Sequence, residues 1–124
     1  MLGSYNIVAF IAVSDAARAK AFYADTLGLK FVSEDQYAVV FDANGIMLRI
    51  TPIPSHTPLQ HTVLGWNVPD ITVAASDLAR AGVKFERYAF LEQDEIGIWS
   101  VPDGTAKVVW FKDCDGNLLS ISQH

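Results

Sequence analysis

Arg49 stands in the run Ile46-Met47-Leu48-Arg49-Ile50-Thr51, where every neighbour but Thr51 is apolar. A guanidinium on such a strand has to be paired, hydrated or held ready for an anion, because a long cation is costly to bury alone. Direct recognition of an anion is one reading; snorkelling to a rim, or pairing with an acid such as Glu92 or Glu95, is the other. His61 can donate to a ligand or titrate near neutrality, or sit as ordinary surface at a strand start. Ser120 and Ser122 offer hydroxyls for hydrogen bonds, but no His-acid pair lies near Ser120 to make it a nucleophile. Phe10 and Met47 offer apolar lining. Trp99 offers a stacking surface among Glu92, Asp94 and Glu95, where a cation would also be welcome. Trp110, Tyr37, Tyr88 and Phe90 can serve as stacking walls too, or fill the core. Cys114 is the single cysteine, which excludes an internal disulfide and a cysteine-rich metal site.

These residues matter together only if strands bring them to one face. Side chains alternate across a strand, so every second residue shares a side. One parity groups Val8, Phe10 and Ala12 with Met47, Arg49 and Thr51, and groups His61, Val63, Gly65 and Asn67 with Leu118, Ser120 and Ser122. The other parity is almost wholly apolar: Ile7, Ala9, Ile11, Val13, Leu48, Ile50, Leu64, Trp66, Val68, Leu119 and Ile121. The second set is expected against helices, and the first to form a mixed, ligand-accessible face.

The elements that carry these strands occur twice. Val13-Ser14-Asp15, a helical stretch and Gly28-Leu29-Lys30-Phe31 match Val68-Pro69-Asp70, a helical stretch and Gly82-Val83-Lys84-Phe85. The ten residues from Asp42 to Thr51 then align without a gap on those from Asp113 to Ser122. Ser14 or Asp15, and Asp70, are the expected helix caps, with Gly28 and Gly82 ending the helices. Asn44-Gly45 and Asp115-Gly116 predict hairpins. Each module thus reads as strand, helix and three strands, over residues 5–51 and 61–123, with a proline-bearing linker at 52–60. The second has 27 residues between Phe85 and Asp113 where the first has 10 between Phe31 and Asp42. The extra stretch, residues 88–105, predicts a long hairpin or a flap.

Two tandem modules of this order, with Val-x-Asp helix starts, Phe22-Tyr23, Leu27-Gly28 and the closing Asp113-Cys114-Asp115-Gly116-Asn117 turn, resemble the vicinal oxygen chelate superfamily. This is the group of glyoxalases, bleomycin resistance proteins and extradiol dioxygenases. The resemblance implies an α+β fold of two βαβββ modules in an open, cup-shaped mixed sheet, with helices on the convex side, over a single domain at 1–124. It also implies a cavity often completed by dimerisation. Enzymes of that family commonly hold a divalent metal on the first and last strands of both modules, positions that map here onto Val8, Val63, Arg49 and Ser120. Valine donates nothing, and Arg49 about 4 Å from a dication would be repelled by about 8 kcal/mol at an effective dielectric near 20. No metal and no other cofactor is therefore expected.

Composition narrows the partners. At 124 residues the chain has room for one domain, and 51% apolar against 19% charged residues exclude disorder. A net charge of −5 without any basic run argues against nucleic acid and anionic membrane. No export signal or membrane span is expected, which suits the cytoplasm. The expected function is metal-free binding of a small organic ligand by a homodimer, as in antibiotic or toxin sequestration, through Arg49, His61, Ser120, Ser122, Phe10, Met47 and Trp99. The alternative is a divalent-metal lyase, isomerase or dioxygenase using displaced donors such as His61 with Glu92 or Glu95.

Overall fold

In the computed structural model, which describes residues 1–124, the chain divides into two units, Met1–Thr57 and Pro58–His124. The first opens with a short 3-10 turn, Leu2–Ser4, and strand β1, Val8–Val13. Helix α1, Ala16–Ala21, follows, and Asp15 starts it: one carboxylate oxygen accepts from the N–H groups of Ala17 and Arg18 at 3.0 and 3.1 Å. That satisfies two of the donors a helix start leaves free. The helix then widens into a π-helical turn, Phe22–Thr26, closed by Leu27 N–H on the Phe22 carbonyl at 3.0 Å. Gly28, at φ 75°, turns the chain out.

Strands β2 (Lys30–Glu34), β3 (Val39–Ala43) and β4 (Ile46–Pro52) complete unit one. The sheet order is β1-β4-β3-β2, with β1 parallel to β4 and the rest antiparallel. Asn44 and Gly45, at φ 54° and 93°, form the two-residue turn between β3 and β4. Ile11, Val13, Leu48 and Ile50 are buried with Tyr23 and Phe41. This is the apolar parity expected to meet the helix, at roughly 1.5–3 kcal/mol for each large side chain removed from water. Ile7 is the exception: it precedes the strand and is exposed.

Unit two repeats the plan. Strand β5, Leu64–Asn67, leads into helix α2, Ile71–Arg80, capped by Asp70 on Thr72 and Val73 N–H at 3.1 and 3.2 Å and ended by Gly82 at φ 96°. Strands β6 (Trp99–Ser100), β7 (Lys107–Lys112) and β8 (Leu118–Gln123) give the order β5-β8-β7-β6, with β5 parallel to β8. Val109, Phe111, Leu119 and Ile121 are buried. The turn into β8 differs from its counterpart. Only Gly116 has positive φ, and Asp113 clasps the turn, accepting from Asp115 and Asn117 N–H with one oxygen and from the Asn117 amide with the other.

The chain is thus an α+β fold of two βαβββ modules, each an open four-stranded mixed sheet with its helix against one face. Three sequence expectations change. β4 runs through Pro52, which pairs with Val13, and Ile53 N–H reaches the Val13 carbonyl, so the link between units begins later than residue 52. Proline is tolerated there because it ends the strand. β5 begins only at Leu64, which leaves His61, grouped by alternation with Val63, Gly65 and Asn67, outside the sheet. Residues 88–105 form neither a long hairpin nor a flap: they make a loop closed by a Gln93–Trp99 bridge and then the short β6–β7 hairpin. No helix is long and apolar enough to cross a membrane.

Candidate functional site

Strand register builds the open face of unit one. Val8 pairs with Met47, Phe10 with Arg49, and Ala12 with Thr51; across β3, Arg49 faces Val40 and Met47 faces Asp42. Phe10, Met47 and Arg49 therefore lie together, as their parity predicts. Phe10 is 64% exposed and Met47 45%, while Arg49 is half-buried between two strands. No acid of unit one pairs with Arg49. Its charge acts on Asp35, whose carboxyl lies below the usual aspartate range first because Tyr37 and Ala38 N–H donate to it, and only then through Arg49.

Beside this row lies a cavity of about 320 Å³ lined by Val32, Val40, Phe41, Asp42, Gly45 and Met47. Val32 shares the side of Lys30, which pairs with Asp42, and it sits at a bulge in β2 between Phe31 and Ser33. Asp42 is its one charged lining residue, with one oxygen taken by Gly45 N–H at 2.7 Å. Val40 and Asp42 could have been found by extending the alternation from Arg49 and Met47 to the next strand. The bulge has no such signal.

In unit two Ser120 pairs with Gly65 and with Trp110, and Ser122 with Asn67 and Val108; Val108 in turn pairs with Trp99. Ser120, Ser122 and Trp99 thus share one face. Ser120 is 9% exposed and makes no hydrogen bond within the unit, yet no buried side-chain polar atom lacks a partner, so its hydroxyl keeps contact with solvent. A Cβ on Gly65 would come 2.7 Å from the Ser120 Oγ, so glycine is what lets the hydroxyl occupy that spot. Ser122 Oγ lies 3.0 Å from His124 Nε2, a contact the alternation could not reveal because His124 lies beyond the strand. His61 is exposed in the loop before β5, apart from the row it was expected to join.

The acidic rim expected around Trp99 is only partly present. Asp94 turns its carboxylate into its own loop, accepting from the N–H groups of Ile96, Gly97 and Ile98, each at 2.9 Å. Burial is the largest influence on it and pushes its carboxyl up, but those three donors and the Arg87 guanidinium together hold it low. Arg87 also donates to the Asp94 and Glu95 carbonyls.

The family's metal positions do not fit a metal here. Val8 and Val63 are hydrocarbon, Arg49 is a cation, and Ser120 is a neutral hydroxyl, whereas a divalent ion takes three or four N, O or S donors. Within neither unit do three His, Cys, Asp or Glu side chains come together, those of His61, Glu92 and Glu95 included.

The sequence profile of the glyoxalase/bleomycin resistance protein/dioxygenase superfamily matches residues 5–121. The chain belongs to this superfamily. Solved structures of the superfamily's fold superpose over nearly all of it. A superfamily member from Sphaerobacter thermophilus DSM 20745 is 24% identical with a TM-score of 0.76, covering 100% of both chains. TnmS3, an antibiotic binding protein from Streptomyces sp. CB03234, is 20% identical with a TM-score of 0.71, covering 97% of each. The genomically encoded fosfomycin resistance protein FosX from Listeria monocytogenes is 14% identical with a TM-score of 0.73, over 98% of this chain and 93% of that one. Among curated proteins none matches in sequence.

Proposed function

We propose that this superfamily member binds a small organic molecule on the open faces of its sheets, as a homodimer acting as a single domain per chain, with no divalent metal at the family's usual positions. The observation that carries the reading is Arg49: a half-buried cation without an acid partner in its unit, set between Phe10 and Val40 on an exposed apolar face. Such a group attracts an anion, and the surrounding hydrocarbon strengthens that attraction by displacing water. The exposed Phe10, Val8 and Met47 also favour a second copy as a cover. The antibiotic binding and fosfomycin resistance named for two structural neighbours support sequestration of a drug or toxin as the use of such a site.

The test is a thermal-shift and calorimetric titration of dialysed protein with adamantane-1-carboxylate and with fosfomycin, alongside metal analysis. Binding of either anion that disappears in Arg49→Met supports the reading. Stoichiometric metal that survives dialysis and is lost in His61→Ala overturns it in favour of a metalloenzyme. Sedimentation gives the dimer, and a monomer at the titrated concentration removes that part.

A further inference from the structure

We propose that the open face of unit two is a stacking wall for a planar, fused-ring aromatic molecule carrying a hydrogen-bonding group on its edge. The inference rests on the reading above that these faces hold small organic ligands, and it names the class that this one takes.

Four rings meet there. Trp99 and Trp110 have centroids 6.1 Å apart at an interplanar angle of 34°, Tyr88 meets Trp110 edge-on at 5.6 Å, and Phe90 lies against Tyr88 at 5.5 Å. The register fixes their side of the sheet. Trp110 faces Ser120, and Trp99 faces Val108, which faces Ser122. The opposite side already has its filling in Val109, Phe111, Leu119 and Ile121. The four rings therefore do not serve that core, and Phe90 is 81% exposed although it touches Tyr88. A large exposed ring held against another ring is an unfinished stack, since aromatic faces seek apolar, polarisable partners.

The wall is held in advance of any ligand. Tyr88 and Phe90 sit on the excursion that leaves the sheet after Glu86, and Gln93 ties its two ends: its amide donates to the Glu86 and Gly97 carbonyls at 2.9 and 2.8 Å, and its oxygen accepts from Tyr88 N–H at 2.8 Å. Asp94 and Arg87 fix the tip. Order of this kind reduces what a ligand must immobilise on binding. Two hydroxyls flank Trp110, those of Ser120 and Tyr88, and neither is hydrogen-bonded within the unit. Burial raises the Tyr88 phenol above its ordinary range, with Glu86 adding to the effect, so it remains a donor. Glu86 is matched by Lys112 at 3.5 Å, which leaves the wall without a dominant charge. Flat rings, two hydroxyls and little net charge select shape and edge polarity over charge. Fused systems of two or three rings are long enough to lie across both tryptophans.

Tryptophan emission reads this wall directly once Trp66, which has the opposite parity and pairs with Ile121, is replaced by phenylalanine. In that Trp66→Phe protein, anthraquinone-2-sulfonate and 9-aminoacridine, planar probes of opposite charge, are expected to quench saturably. Adamantane-1-carboxylate, which is not flat, is expected not to. Phe90→Ala, which is exposed and safe for folding, and Trp99→Ala should each weaken the planar probes about tenfold, while Trp99→Phe retains binding and Val73→Ser, on the exposed side of α2, leaves it unchanged. Planar probes that bind equally well to Phe90→Ala and Trp99→Ala, or no better than the adamantane anion, overturn the wall. If the adamantane anion still shifts the melting point in an Arg49-dependent way, the general binding reading survives that failure. If no probe binds at all, both fall.

Discussion

The two units have equivalent cores and differ at their outer strand. In unit one β2 stays paired with β3 over its whole length, apart from the bulge at Val32, with Phe31 paired to Phe41 at a ring distance of 6.0 Å. In unit two the equivalent contact is an isolated one, Phe85 with Phe111 at 6.3 Å, after which the chain leaves the sheet and returns only at Trp99. Both pairs meet edge-to-face, and both helices are capped by an aspartate on the second and third N–H groups after it. The duplicated parts are those that pack. The parts that differ lie on the open faces, where unit one has a single ring, Phe10, among aliphatic side chains and a cation, while unit two has four aromatic rings and the hydroxyls of Ser120, Ser122 and Tyr88. Packing demands constrain one side of each sheet and leave the other free to specialise.

If the cores are equivalent, Phe41→Ala and Phe111→Ala should cost alike, about 3–5 kcal/mol each by urea unfolding, because both rings are essentially fully buried. A large difference would break the equivalence. Gly97→Ala should cost about 1–3 kcal/mol, since its φ is 120° and an added Cβ would approach the Phe85 Cβ at 3.3 Å. Unit one has no counterpart, so this loss should appear with disturbed near-ultraviolet signals from Trp99 and Trp110. Asp15→Ala and Asp70→Ala should each remove about 1 kcal/mol, equally. The smallest effect is in pH. Asp94 has a lowered folded pKa, so its contribution is present above the ordinary aspartate range and is lost as pH falls through the lower folded value. Tryptophan emission should therefore report loosening of residues 94–98 at acid pH in the native protein, and Asp94→Asn should show less of it. Asp35 follows the same sign in unit one, without a tryptophan nearby on its strands to report it.

Much of the fold was readable because its signals are local. Aspartate before each helix, glycine after it and Asn44-Gly45 between strands act within a few residues. The alternation that set Leu48 and Ile50 apart from Met47 and Arg49 is local too, and from it the company of Phe10, Met47 and Arg49 followed. What stayed hidden depends on long-range pairing. The Val32 bulge answers to β3, and the short start of β5 answers to β8. The inward turn of Asp94 is a local exception, answering to N–H groups two to four residues ahead, where composition presented only an acidic cluster. The widening of the first helix at Phe22–Thr26 also escaped, because Phe22, Tyr23 and Leu27 suit an ordinary helix about as well. Trp110 and Tyr88 were named as aromatics, but only the register of β7 with β8 shows that they join Trp99 beside Ser120.

The excursion between Glu86 and Trp99 departs from and rejoins the sheet at its margin, where no strand lies farther out. With Gln93, Asp94, Gly97 and Ile98 kept as its fixings, the exposed residues between them can change without moving β7, β8 or the helix, much as an interchangeable cassette is fitted to a fixed chassis. Lineages carrying this scaffold can in this way acquire new molecular tastes by editing a handful of residues, and a laboratory library confined to those exposed positions would sample them while leaving folding intact.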